Sequence, residues 1–422
     1  MEKIGNDGGY AVPLGFGMAV SMWAVAYVCR LPAVLAPPWL VLAVLLTAVV
    51  WWGSSAGRWT GDGWGAGARV GLVAAILNML ILGSLLTSSA SGAVTPSALF
   101  WIPGSMLAIA GLAATSSAIG SRQLGAGGGR NWTGLFAKVA VVATFLLVVA
   151  GGLVTSNEAG LAVVDWPNTF GYNMFLYPLA RMTGGVYYEH AHRLFGALVG
   201  LTTVVLAVLL QRCDDRGWVR RLGWAAVAMV VVQGILGGLR VTGRFTLDDV
   251  RLEPNITLAV VHGALAQVFL GTVVALAVFS SRRWRSGEAV ERRTVRLDRI
   301  LYATLVGLLV AQIVLGAVQR HLDRGLTVHI VMAAVVALVA VPCGARAWIL
   351  NPNEPRLRFY GHAVTDGTIV QILLGLAAYV ATRSMESSRL EVGLATLHQW
   401  FSAALLACAV ALALWTWRFS RS

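Results

Sequence analysis

The sequence predicts an all-α, polytopic membrane protein of about twelve transmembrane helices, the last eight forming two repeated four-helix bundles. Three observations predict it: long apolar runs from end to end, arginines gathered in alternate loops, and an internal repeat that carries histidines. Of the 422 residues, 57% are hydrophobic and only 12% charged. The mean hydropathy is +0.73, whereas a soluble domain carries about a quarter charged residues. The apolar residues lie in runs near the length of roughly 20 residues that crosses a bilayer core.

In chain order the predicted spans are 12–29, 38–53, 69–88, 97–118, 134–153, 186–210, 219–240, 256–280, 299–319, 326–345, 359–382 and 392–416. The second is short enough to be tilted or re-entrant. The first run, Val12 to Cys29, is followed directly by another, so the first helix reads as part of the mature protein rather than a signal peptide.

The net charge is +13, and lysine occurs only at Lys3 and Lys138. In a soluble chain such an excess of arginine would suggest nucleic acid. Here the arginines follow the positive-inside rule, so the expected partner is membrane lipid and not nucleic acid. Arg212, Arg216, Arg220 and Arg221 join spans six and seven. Arg282, Arg283, Arg285, Arg292, Arg293, Arg296 and Arg299 join spans eight and nine, and Arg346, Arg356 and Arg358 join ten and eleven. Arg418 and Arg421 form the tail. The opposite loops mix signs (Asp248, Asp249 and Arg251; Asp323 and Arg324; Glu386 and Arg389), so both termini are expected on the cytoplasmic side, with the long loop 154–185 outside. Cys29, Cys213, Cys343 and Cys408 lack CxxC spacing and support neither a zinc site nor a disulfide framework.

A Gly-rich stretch, Gly125 to Gly129 followed by Arg130, divides the chain. Residues 1–130 form a four-span block plus linker, 131–285 a first four-helix half and 286–422 a second. The halves echo each other. Val232-Gln233-Gly234-Ile235-Leu236-Gly237 in span seven matches Val370-Gln371-Ile372-Leu373-Leu374-Gly375 in span eleven. Each precedes an outside loop and a helix opening on a histidine, His262 or His398; His192 and His329 occupy the matching earlier helices. Within a half the two histidines are 70 residues apart in the first and 69 in the second. Such periodicity is that of two similar bundles, each with an even number of spans and the same orientation.

His192, His262, His329 and His398 are thus expected in the first turn or so of helices that begin outside. A single histidine on an apolar helix is more often a satisfied core residue, but four at equivalent positions in lipid mark a site. Two neutral imidazoles facing each other can supply both axial ligands of a haem iron, which predicts one haem per half near the outer face. With all four at one depth, the haems could exchange electrons but could not wire the bilayer from face to face. His190, on another side of its helix, His321, read in a short outside loop, and His362, at a cytoplasmic helix start, are weaker candidates. The repeat breaks at one place: Glu189 stands three residues before His192, Leu326 three before His329. Residues three apart share a helix face, so only the first half has a carboxylate beside its ligand, able to move protons or stabilise a cation. The alternative is a solvated glutamate favouring the helix dipole. Arg193 could pair with Glu189 or with a haem propionate.

Gly151-Gly152-Leu153-Val154-Thr155, the loop motif Asp165-Trp166-Pro167, the run Tyr188-Glu189-His190-Ala191-His192-Arg193 and the later single histidines resemble the haem A synthase family across roughly residues 134–417. The resemblance implies a bacterial inner-membrane oxidoreductase that converts the C8 methyl group of haem O to the formyl group of haem A for terminal oxidases. It implies His192 and His262 flanking the substrate haem, His329 and His398 ligating a haem b, and Glu189 assisting the oxidation. Asp165, Trp166 and Arg193 become loop or propionate contacts. A haem O synthase upstream, an unidentified electron acceptor and a homo-oligomeric state are the partners it suggests. Many bacterial members carry a cysteine pair in the first outside loop of the core; residues 154–185 contain none, which excludes a redox disulfide there. Residues 1–130 have no counterpart in the eight-helix core and read as a docking or stabilising module. The competing classes are a dihaem, quinol-linked electron-transfer protein without methyl oxidation, and a haem sensor or carrier.

Overall fold

A computed structural model describes residues 9–88, 93–123, 130–242, 255–286, 290–291, 295–384 and 389–421. The Gly125–Gly129 linker and the loop charges Asp248, Asp249, Arg251, Arg292, Arg293 and Glu386 lie outside the described residues. The helices are α1 (Ala11–Arg30), α2 (Pro38–Thr60), α3 (Gly63–Leu85), α4 (Ala98–Gly120), α5 (Trp132–Ser156), α6 (Gly184–Cys213), α7 (Gly217–Thr242), α8 (Ile256–Phe279), α9 (Arg282–Ser286), α10 (Val295–Leu322), α11 (Leu326–Ile349), α12 (Pro355–Ser384) and α13 (Arg389–Phe419). Among the described residues, twelve helices, all but the short α9, are long and apolar enough to cross a membrane. The chain is a multi-pass membrane protein. The only strands among these residues are a two-residue parallel pair, Val290–Glu291 with Ser420–Arg421.

The second span corrects its sequence reading. It is a full helix of 23 residues, neither short nor re-entrant. Its last turns contain Gly53, Ser54, Ser55 and Gly57, which interrupt the apolar run but serve as a packing face. A Cβ at Gly53 would lie 2.6 Å from the Ala113 carbonyl oxygen of α4, and one at Gly57 would collide with the Ser117 carbonyl. Between helices in lipid, hydrophobicity gives no drive, so close backbone approach through small residues supplies the contact. Gly67 and Gly71 of α3 meet α4 in the same way, at Ala113 and Ala110.

The chain divides into two compact units that cut across the sequence halves. The first comprises Met1–Leu147 and Leu161–Gly223, joining α1–α4 to most of α5, the following loop and α6. Aromatic contacts tie α1 to α6. Tyr27 and Tyr187 stack with centroids 5.6 Å apart and 9° between planes, and Phe195 meets both Trp23 and Tyr27 edge-on. The Tyr187 hydroxyl donates to the Tyr27 carbonyl at 2.7 Å, one of the last-turn carbonyls of α1 that have no partner within the helix. The buried Asn78 of α3 accepts from the Trp23 indole at 3.0 Å.

The second unit comprises Val148–Gly160 and Trp224–Ser422, with α8 and α10–α13. Asp298 and Arg346 pair at 2.6 Å between α10 and α11, and beside them the Tyr302 hydroxyl donates to the Cys343 carbonyl at 3.2 Å. Gly344 and Gly361 bring the backbones of α11 and α12 together.

The glycine seam between α2 and α4 is open to test. Gly57→Val forces the two helices apart and should destabilise the first unit by about 1–3 kcal/mol, read as a lower Tm in detergent. Gly111→Val, where a Cβ meets nothing within 4 Å, should leave it unchanged.

Candidate functional site

In the first unit the site is built on α6 and on the loop before it. Tyr187, Tyr188, Glu189 and His190 are buried in succession. Glu189 is 6% exposed, and one turn later the Arg193 Nε donates to its Oε1 at 3.0 Å, with both side chains 7% exposed. The remaining guanidinium nitrogens hold the loop. Arg193 Nη1 donates to the Asp165 carbonyl at 2.7 Å and the Asn168 carbonyl at 3.0 Å, and Nη2 to the Val163 carbonyl at 2.8 Å. The Asp165 carboxylate is turned back on its own loop, accepting from the backbone N–H of Phe170 at 2.7 Å and of Gly171 at 2.8 Å. Trp166 is 42% exposed. One arginine thus fixes a carboxylate and three loop carbonyls, a task that suits a planar, permanently charged fork of donors.

His190 is fully buried. Its Nδ1 lies 3.1 Å from the Thr169 hydroxyl and its ring packs on Tyr177 at 5.2 Å between centroids. It therefore braces the loop. Burial pushes the Tyr177 hydroxyl above its ordinary pKa. Farther along, Phe175 meets α3, its carbonyl accepting from the Ser84 hydroxyl at 3.4 Å. His192 follows on α6, three residues after Glu189 and on the same face. It lies more than two turns into the helix, because α6 starts at Gly184, ahead of its apolar run.

The other three repeat histidines belong to the second unit. His329 and His398 come together, their ring centroids 6.4 Å apart at 79°. Two metal–imidazole bonds of about 2 Å each, plus the reach from each nitrogen to its ring centre, span roughly 6 Å. In length, the gap would admit one metal ion between His329 and His398. Each histidine meets a glutamine from the preceding helix. Gln312 Nε2 donates to the His329 carbonyl at 3.0 Å and lies 3.1 Å from its Nδ1. Gln371 Nε2 stands at 3.1 Å from both the carbonyl and Nδ1 of His398. Gln233 Nε2 donates to the His262 carbonyl at 3.2 Å.

Four residues after each glutamine is a glycine on which the imidazole rests. A Cβ at Gly237, Gly316 or Gly375 would lie 3.4, 3.1 or 2.8 Å from Cε1 of His262, His329 or His398. The sequence reading noticed Gln233 and Gln371 only as marks of the repeat and missed Gln312. Its spacing, Gln312-Ile313-Val314-Leu315-Gly316, was the available signal.

His398 sits ten residues into α13, not in its first turn, because that helix begins at Arg389. His321 lies in the last turn of α10, not in a loop. His362 lies two turns into α12, stacked on Trp348 at 4.7 Å and 3.7 Å from Asp366.

Residues 134–330 match the sequence family described as COX15-CtaA, Cytochrome oxidase assembly protein. The chain is 28% identical over 237 residues to the heme A synthase of Cereibacter sphaeroides (strain ATCC 17025 / ATH 2.4.3), covering 49% of this chain and 59% of that protein. It is 27% identical over 198 residues to the heme A synthase of Lysinibacillus sphaericus (strain C3-41), covering 45% and 59%. A protoheme IX farnesyltransferase of Haloarcula marismortui is 33% identical over 117 residues, 28% of this chain and 24% of that protein. The chain spans about 59% of the length of these heme A synthases. The family match runs through the Asp165-Trp166-Pro167 loop, the Glu189–Arg193 pair and three of the four repeat histidines, and over that region this chain is similar to the heme A synthases.

Proposed function

We propose that this protein oxidises the C8 methyl group of haem O to a formyl group, yielding haem A. One observation carries the reading: a buried carboxylate, Glu189, locked by Arg193 at 3.0 Å on the helix that bears His192, where the second half has Leu326 in the equivalent place. Converting a methyl to a formyl group adds one oxygen atom, balanced with water as its source by release of protons to a base and electrons to an acceptor, and a carboxylate beside the reacting group is the residue type that accepts protons. The related heme A synthases support the same chemistry.

In this reading His192, three residues after Glu189 on the same helix, stands at the substrate haem. His329 and His398 hold a haem b, whose iron, when bound, supplies one-electron transfer toward an acceptor. Arg193 keeps Glu189 oriented and the loop 163–168 closed over the helix start, excluding water. The site-bearing helix ends face the extracytoplasmic side, by the distribution of arginines. A dihaem electron-transfer protein would use His329 and His398 equally well but leaves Glu189 without a task.

The direct experiment is co-expression with a haem O source, followed by haem extraction and mass analysis. A formyl product is expected; haem O accumulating unchanged in a protein that carries haem b normally refutes the synthase reading. Glu189→Ala should retain haem while product formation falls about 10²–10⁴-fold; equal loss of both would make the residue structural. Arg193→Ala leaves Glu189 and three carbonyls without their donor. Losing one partner of a buried pair costs about 3–5 kcal/mol, so limited proteolysis should cut the loop 163–172 in the variant and spare the wild type.

A further inference from the structure

The glutamines that meet the histidines have no part in the reading above, which this inference deepens and on which it rests. We infer that Gln312 and Gln371 are positioning residues for the His329/His398 haem site, each gripping its histidine by backbone carbonyl and ring Nδ1 over a glycine that admits the ring. Gln233 and Gly237 stand in the same relation to His262, without the contact to Nδ1.

The geometry recurs too closely to be incidental packing. Three helix pairs, α7/α8, α10/α11 and α12/α13, place glutamine Nε2 3.0–3.2 Å from the histidine carbonyl. A carbonyl inside a helix already accepts one backbone N–H but has a second lone pair, which the amide occupies. In lipid an unmet amide is costly, so the contact ties histidine and glutamine together and fixes where the Cα of the histidine stands. The glycine four residues on clears the ring, at its tightest 2.8 Å from a would-be Cβ at Gly375.

A second observation points from positioning to metal. The Oε1 atoms of Gln312 and Gln371 are buried and make no hydrogen bond. As placed, each amide Nε2 faces its imidazole with a donor, 3.1 Å from Nδ1 and 3.4 Å from ring Nε2. An imidazole that binds iron through Nε2 carries its proton on Nδ1 and needs an acceptor there. Turning the amide over brings Oε1 to that proton. The orphaned oxygen is thus the acceptor of the metal-bound state, which the glutamine reaches by giving up its contact to the histidine carbonyl for the Nδ1 proton. The α5/α6 pair lacks the device: four residues before Gly151 stands Leu147.

The test uses the full-length protein purified in detergent, with haem b as the probe. Gln312→Leu and Gln371→Leu should weaken haem b retention about 10–100-fold and alter the low-spin, bis-imidazole EPR signal of the haem that remains. Gln312→Glu and Gln371→Glu, which restore an acceptor at the same reach, should retain haem with a lowered midpoint potential. Leucine variants that elute and melt as wild type and keep its haem content, EPR signal and midpoint potential overturn the inference. If the leucine variants do not accumulate, Gly375→Ala, which presses on the ring of His398 without touching the amide, should give the same spectral change, and an unchanged spectrum counts against it. The parent reading fails separately: if His329→Ala and His398→Ala leave haem b in place, the paired site itself is wrong.

Discussion

A hydrocarbon interior offers no water to a polar side chain, so an imidazole, carboxylate or amide placed there is costly unless the protein supplies it with a partner. That requirement shapes this molecule more than any single contact. The histidines of α8, α11 and α13 each have a glutamine on the neighbouring helix. The carboxylate of Glu189 has Arg193 one turn away. Where polar groups are small, as in the Gly-Ser-Ser-Ala-Gly run of α2, the requirement is met by backbones drawn close enough to exclude lipid.

The same requirement explains why one helix carries so much. α6 meets α1 with Tyr187 and Phe195, grips the preceding loop with Arg193, and keeps His190 against Thr169 and Tyr177. Glu189 and His192 remain as the residues whose type and position point to chemistry. Arg193 is therefore best understood as the keystone between loop and helix, its donors directed to Glu189 and to three loop carbonyls.

The spans were legible because a run of about 20 apolar residues has few other uses. The misreading of α2 shows the limit: glycine and serine look like the end of a span until the opposing helix is known. The depth of His192 and His398 escaped for the converse reason, since α6 and α13 continue past their apolar runs into polar sequence. At the site, the four histidines and the Glu189–Arg193 spacing could be read from periodicity alone. The three carbonyls held by Arg193 could not, because they depend on how residues 161–183 fold back. Gln312 lay between these cases: its motif was visible, but only contact with His329 gives the motif a meaning.

The stack of Tyr187 on Tyr27 has a consequence for the N-terminal helices. The hydroxyl that reaches the last turn of α1 fixes how far α6 stands along its own axis. A helix advances about 1.5 Å per residue, so a slip of one residue between the two would break that bond and carry Glu189, two residues on, out of register with its loop. Through this contact α1 fixes how far along its axis α6 stands, and with it the carboxylate of Glu189.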